Sequence, residues 1–397
     1  MPFSLPQGFR AAGVYAGLKR NPQKNDVALV ISDTPATAAG VYTQNLVFAA
    51  PVKLDRARTP STRIRAVVIN SGNANACTGE RGDRDAARMA ELAAEACGAK
   101  GDEALVLSTG IIGDFMPMEK IAAGIQAAAQ NLAADEAALI AAARGMLTTD
   151  TRHKLAQQTL VAAGRTLRVT GMAKGAAMIG PRMATMLGLI LTDAALEAAD
   201  AQQALAAAVD DSFNCISVEG HMSTNDTVLL LANGAAGGAK LAGADLAAFR
   251  RALDEVCLGL AQAIPADGEG ATHLVTIDVT GCATRDAAHR IAKTIAESAL
   301  VKTAIAGADP NWGRIVSAAG YAGVPFDPAG VSLHVNGHLL YRAGSPVAFD
   351  GASVSEAIKS QRDTSIAIAF REGSARVRFW TTDLTAEYVR LNADYHT

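Results

Sequence analysis

The sequence predicts a layered α/β or α+β fold. Short apolar, β-branched runs alternate with alanine-rich segments of helical spacing. Half of the 397 residues are hydrophobic, 5% are aromatic and 36 are glycine, a composition suited to closely packed layers rather than a disordered chain. The alternation is irregular and contains no repeat or low-complexity linker, which disfavours both a helical bundle and an all-β barrel. The length fits two or three domains or one large sandwich.

The elements follow in chain order. Residues 27–31 and 66–69 are apolar, β-branched strands. The run NSGNAN at 70–75 is rich in side chains that bond backbone, and reads as a loop. A helix over 83–97 has an apolar face of Leu92 and alanines, with Gly98 placed to end it. A strand at 105–107 delivers the chain into Ser108, Thr109 and Gly110. Residues 121–146 are helical, broken near Asn131, with a new helix starting around Asp135. Strands are expected at 167–170, 185–191 and 227–231, and Asp193 is placed to cap a helix running to about Asp210. A helix over 244–264 carries Leu246, Phe249, Leu253, Val256 and Leu260 at helical spacing and stops at Pro265. A strand at 273–279, a helix at 286–300, a hairpin at 331–339 around Asn336-Gly337, and strands at 366–370 and 377–380 complete the reading.

Composition narrows the function classes. Net charge is −3 with acids and bases intermixed, and no basic stripe points to nucleic acid or an anionic membrane. Cys77, Cys97, Cys215, Cys257 and Cys282 are odd in number, scattered and without a C-x-x-C, so buried free thiols are expected rather than disulfides or a zinc site. The first residues lack a charged start followed by an apolar run, and no apolar run is long enough to span a bilayer. A soluble cytoplasmic protein is the expectation. His334 and His338 flank the hairpin turn, where they would face each other, but no third ligand or H-E-x-x-H motif accompanies them; no metal site is predicted.

The most informative stretch is 171–187, GMAKGAAMIGPRMATML, a glycine-rich loop with one lysine that runs into an apolar strand opening at a threonine. A phosphate loop needs Ser or Thr after the lysine and a helix beyond it; here Gly175 follows Lys174 and a strand follows the loop. The other reading is self-processing. Thr185, preceded by the small Ala184, can attack its own preceding carbonyl; the acyl shift and hydrolysis then leave a free amine. An N-terminal amine has an unperturbed pKa of roughly 7.7–8.0 and can activate the hydroxyl beside it. Ordinary core is the competing explanation, because β-branched residues suit strands.

This segment resembles the processing site of the ornithine acetyltransferase family, the bifunctional glutamate N-acetyltransferases of the arginine pathway. The resemblance covers nearly the whole chain. NSGNANA at 70–76, STGIIG at 108–113, TTDT at 148–151, STNDT at 223–227, DGEG at 267–270, DPNWGR at 309–314 and YVRLN at 388–392 are similar to family segments in family order.

The resemblance implies a layered α/β sandwich with a central pair of sheets flanked by helices, self-processed into a threonine-nucleophile enzyme. Cleavage between Ala184 and Thr185 would give an α chain, 1–184, and a β chain, 185–397, assembling as α2β2. Thr185 would be the nucleophile, and Thr109 and Gly110 the oxyanion pair, where prepositioned donors act most strongly. Lys174 would be the binding-loop lysine, suited to a substrate carboxylate or to keeping the Thr185 amine deprotonated. Thr148 matches a substrate-binding threonine, although Thr149 and Thr151 leave the choice within the run open; without the family, Asp150 reads as a cap. Glu269 lies between two glycines, which let a ligand approach closely, and resembles an acidic ligand for the ornithine amino group. Asn392 and Thr397 match a C-terminal pair, so that a tail otherwise read as frayed would fold over the active site.

The implied substrates are N-acetylornithine and glutamate, with no metal or organic cofactor. Some members also take acetyl-CoA as donor, and no separable sequence mark for that ability is present. Many members have Gly at Ala177, Asn at Arg182, and Asp-Gly-Asp-Thr where this chain reads Glu219-Gly220-His221-Met222. Arg182 bears on cleavage rate, and His221 and Met222 put a family role for their loop in doubt. Two alternatives stand beside the transferase: an N-terminal-nucleophile amidohydrolase or aminopeptidase that passes the acyl group to water, and an uncleaved binding or structural protein.

Overall fold

The structure is a computed structural model that describes residues 2–180 and 186–394. The chain folds into two compact units. Unit 1 comprises Met1–Gly175, Arg182–Phe213 and Met222–Leu260; unit 2 comprises Ala176–Pro181, Asn214–His221 and Ala261–Thr397.

Unit 1 is built on the strands β1 (Phe9–Val14), β2 (Val27–Tyr42), β3 (Ser61–Asn73), β4 (Ala104–Ile111), β5 (Lys154–Ala162), β6 (Arg165–Lys174), β7 (Leu187–Thr192) and β8 (Thr227–Ala232). They form one mixed sheet in the order β4-β3-β2-β8-β7-β6-β5, with β1 on β2. β3–β4 and β7–β8 are parallel, and the remaining pairs are antiparallel. Its helices are α1 (Ala50–Arg58), α2 (Gly79–Glu95), α3 (Met118–Gln130), α4 (Glu136–Gly145), α5 (Ala198–Asp211) and α6 (Gly243–Ala263), the last of which continues into unit 2.

The period-two alternation of a strand explains the layers. Val27, Leu29 and Ile31 of β2, with Ala66 and Val68 of β3, pack on Met89, Ala90 and Ala93 of α2 and Ile121 and Ile125 of α3. Ala28 and Val30, with Val67 and Ile69, pack instead among Leu139, Ala142, Ala143 and Met146 in and after α4. Each face of the sheet is thus covered by helix, which is why these strands read as continuous apolar runs.

Unit 2 contains β9 (Leu274–Cys282), β10 (Ser332–Val335), β11 (His338–Arg342), β12 (Ser345–Pro346), β13 (Asp363–Ala369) and β14 (Ala375–Thr382), in the order β12-β11-β10-β13-β9-β14. Its helices are α7 (Arg285–Glu297), α8 (Ala299–Ala306), α9 (Trp312–Gly320), α10 (Gly351–Lys359) and α11 (Ala386–Asp394). α7 buries Ala288, Ile291, Ala292 and Ile295 and lies on β9 and β14.

The layered α/β expectation holds: each unit is a mixed sheet with helices packed on it. Asp135 caps α4 through the Ala138 amide, as its position predicts. Several local expectations need correction. β3 runs through to Asn73, so much of the predicted loop is strand. Asp193 does not cap α5; its carboxylate accepts from the amides of Gln7 and Arg168. The helix expected over 286–300 breaks at Ser298, whose hydroxyl caps α8 instead. His334 pairs with Leu339, and His338 with Val335, so the two histidines do not face each other. Cys77 is exposed and Cys97 partly so, while Cys215, Cys257 and Cys282 are buried; all five are free. Among the described residues no helix is long and apolar enough to cross a membrane.

Candidate active site

β3 and β4 run parallel and deliver their last residues side by side, with Ser71 opposite Thr109 and Gly72 opposite Gly110. Thr109 is 5% exposed. Gly110 has φ +134, and a Cβ there would lie 2.3 Å from the Gly72 carbonyl carbon and 2.4 Å from the Asn73 nitrogen. Only glycine fits this close approach of two backbones.

β6 ends at Lys174, whose Nζ donates to Thr109 Oγ1 at 3.4 Å. The lysine is 2% exposed. Asp150, expected as a cap, instead organises the region. Its Oδ1 accepts from Lys154 Nζ at 2.6 Å and the Gly175 amide at 2.7 Å, and its Oδ2 accepts from the Thr148 amide at 3.1 Å. Burial alone would raise the Asp150 carboxyl; the Lys174 and Lys154 ammonium groups and the Gly175 amide outweigh it and hold the group at about 2. Through Asp150, the backbone of Thr148 is tied to the backbone that follows Lys174.

Ala184, Thr185, Arg182 and Thr397 lie outside the described residues. The strand expected from 185 is described from Leu187, where β7 begins between β6 and β8. Just before it, the Met186 amide donates to Asp226 Oδ1 at 3.0 Å. Asp226 is fully buried, and burial pushes its carboxyl well above the ordinary carboxylate range; the Met186 amide and the Lys174 ammonium only partly offset this.

In unit 2, Asn392 Nδ2 donates to Glu269 Oε2 at 3.1 Å. The tail is therefore helical and bound at this loop: the Thr385 hydroxyl donates to the Gly270 carbonyl at 2.7 Å, and a Cβ on Gly270 would lie 2.5 Å from the Tyr388 nitrogen. Glu219 belongs to the same unit. Both its carboxyl oxygens are buried, and burial pushes the group up to about 8; the Ile179 amide and the Lys302 ammonium only partly offset this. His221, beside it, is exposed.

Thr109, Gly110, Thr148 and Lys174 thus share unit 1, and Glu269 and Asn392 share unit 2. Sequence reasoning missed that Asp150 and Asp226 hold backbone at this site. The signal for Asp150 was Lys154 four residues on, a spacing that permits an ion pair; Asn225 and Asp226 stood inside the STNDT motif with no role attached. Among the described residues, no group of three or more His, Cys, Asp or Glu is arranged to hold a metal ion.

The model of the ArgJ family matches residues 10–397. The chain belongs to the ArgJ family. The arginine biosynthesis bifunctional protein ArgJ of Rhodopirellula baltica is 46% identical over 396 residues, covering 99% of this chain and 96% of that protein. The protein of the same name from Symbiobacterium thermophilum is 48% identical over 397 residues, covering 99% and 98%. The crystal structure of the ArgJ bifunctional protein of Bacillus halodurans aligns with a TM-score of 0.51 at 38% identity, over 52% of this chain and 98% of that one.

Proposed function

We propose that this chain is the acetyltransferase of arginine biosynthesis that moves acetyl from N-acetylornithine to glutamate through an acetyl-Thr185 intermediate, after cutting itself between Ala184 and Thr185. The observation that carries the reading is the ArgJ match across residues 10–397, which includes every residue assigned a role.

In processing, Thr185 Oγ attacks the Ala184 carbonyl. The acyl group passes from nitrogen to oxygen, and water hydrolyses the ester, leaving the Ala184 carboxylate and the Thr185 amine. In catalysis that amine takes the hydroxyl proton as Oγ attacks the acetyl carbonyl. Thr109 and Gly110 supply donors to the oxyanion. The C–N bond breaks and ornithine leaves with the proton; the glutamate amine then attacks the acetyl ester and restores the Thr185 hydroxyl. In this reading Thr148, Lys174, Glu269, Asn392 and Thr397 bind substrate, with the Glu269 carboxylate for the ornithine ammonium.

Sheet order supports two chains that stay joined. β7 and β8 follow the cut, yet they sit in the sheet between β6 and β2, which precede it. Both ladders, β6–β7 and β2–β8, would hold the products together without a covalent link. An α2β2 assembly and an acetyl-CoA-dependent start to the cycle belong to the same proposal. A hydrolase using the same threonine is the alternative, and the family match favours the transferase.

Intact mass under denaturing conditions tests the cut: two fragments, 1–184 and 185–397, are expected from the wild type and one chain from Thr185→Ala. Incubation with N-acetylornithine, with and without glutamate, should give N-acetylglutamate only when glutamate is present, with ping-pong kinetics. Full transferase activity in Thr185→Ala would overturn the assignment.

A further inference from the structure

We propose that Asn225 and Asp226 are a positioning pair that holds the chain just after Thr185, at Met186 and the start of β7, in register with the oxyanion residues. The inference rests on the function proposed above and adds two residues to it.

Asn225 Nδ2 donates to the Ala74 carbonyl at 2.7 Å and to the Ser108 carbonyl at 2.9 Å. Ser108 directly precedes Thr109, and Ala74 directly follows the end of β3. Carbonyls only accept, so the NH2 end of the amide must face them, and Oδ1 takes the Thr224 hydroxyl at 2.6 Å. The Asn225 backbone amide is held by Ser223 Oγ at 3.0 Å, and its carbonyl by the Thr227 hydroxyl at 3.0 Å. The amide therefore has a single orientation and both its N–H groups are used.

The next residue reaches the other strand. Asp226 Oδ1 accepts the Met186 amide, and the Thr227 amide donates to the Met186 carbonyl at 3.2 Å, so Met186 is held at both its backbone groups. Leu187 then pairs with Thr227 as the β7–β8 ladder begins. Met186 directly precedes β7, so these two bonds set where that strand begins. One dipeptide thus holds the backbone at Ser108, next to the oxyanion residue Thr109, and the backbone at Met186, the residue that follows Thr185 in sequence.

Stability alone does not account for this arrangement. The Asp226 carboxyl is fully buried, and the Met186 amide, the Lys174 ammonium and the Thr43 and Ser223 hydroxyls beside it only partly offset the cost of that burial, which disfavours the folded state. An apolar residue would avoid that penalty but would offer Met186 no acceptor.

The test compares Asp226→Ala, Asp226→Asn and Asn225→Ser in the full chain. Two rates are followed by mass: appearance of the 185–397 fragment, and gain of an acetyl group by that fragment when N-acetylornithine is added, normalised to the cleaved, folded fraction. A loss of folded protein lowers the amplitude of acetylation but not its rate, so the rate isolates positioning. Asp226→Ala and Asn225→Ser should slow acetylation by about 10²-fold with little change in KM for N-acetylornithine, the scale of a small displacement of reacting groups. Asp226→Asn retains an acceptor for Met186 and should recover most of the rate. Wild-type rates in folded Asp226→Ala or Asn225→Ser would overturn the proposal. So would an Asp226→Asn protein as slow as the alanine variant. If Asp226→Ala does not fold, the Asn225→Ser rate and the Asp226→Asn rescue decide by the same criteria. A wild type that neither cleaves nor transfers acetyl would instead overturn the underlying function.

Discussion

The Lys174 ammonium meets the Thr109 hydroxyl at 3.4 Å inside unit 1, with the lysine 2% and the threonine 5% exposed. The same ammonium holds the Asp150 carboxyl down and acts on the buried Asp226. A charge this far from solvent is expensive unless it is used. Lys174→Met keeps the apolar stem and removes the charge. It should lower acetyl transfer by about 10²-fold, the scale of losing one electrostatic group in an acyl-transfer site. Lys174→Arg should not restore it, because a planar fork does not occupy the volume of a compact ammonium. Steady-state transfer from N-acetylornithine to glutamate measures both; an arginine variant of wild-type activity would show that position is secondary to charge.

Thr109→Val removes the hydroxyl while keeping a β-branched side chain at the end of β4. Folding should be nearly unchanged. The kcat for acetyl transfer should fall by about 10²–10³-fold with a much smaller change in KM, as for an oxyanion donor. Equal losses in binding and turnover would indicate substrate contact instead.

Gly110 and Gly113 both lie in the left-handed region, at φ +134 and +96, but their surroundings differ. A Cβ at Gly110 meets the backbone of Gly72 and Asn73, whereas one at Gly113 has nothing within 4 Å. Gly113→Ala should cost about 1–3 kcal/mol from backbone strain alone. Gly110→Ala must also push β3 and β4 apart, and should cost distinctly more or prevent folding. Urea midpoints of the two variants compare them directly; equal costs would show that the clash is relieved.

What was legible in the sequence was whatever a local pattern dictates. The paired helices α3 and α4, with Asp135 at the second start, and the β10–β11 turn at Asn336-Gly337 follow from capping and turn chemistry. Asp193 failed because a carboxylate near a helix start looks like a cap, while its actual partners, Gln7 and Arg168, lie far away in sequence. Strand β5 reads as half-exposed and carries few buried side chains, so no apolar run announced it. Helix α11 buries no side chain and was not read as a helix; the family resemblance gave only a tail folded over the active site. The site divided the same way. Thr109, Gly110 and Lys174 were found through motif likeness, and the structure joins Thr109 to Lys174. Asp150 was assigned the wrong role because its three partners come together only once β5 and β6 have paired and brought Lys154 opposite Ala173.

Asp150 gives a prediction with a defined pH window. Its folded-state carboxyl sits at about 2, below the ordinary 3.8. A depressed carboxyl contributes stability that is fully present above its unfolded value and is lost as pH falls through its folded value. The contribution is on the order of 2–3 kcal/mol at neutral pH, because each tenfold gain in acidity is worth about 1.4 kcal/mol. Asp150→Asn removes it and also leaves Lys154 and Lys174 buried without their shared carboxylate, so the full loss should be larger. Urea denaturation of the two proteins should show a constant gap between pH 7 and pH 5, narrowing as the pH drops below about 4. A gap that stays constant to pH 3 would mean that Asp150 acts only through hydrogen-bond geometry, accepting from Thr148 and Gly175, and that its charge contributes nothing to holding the Lys174 loop.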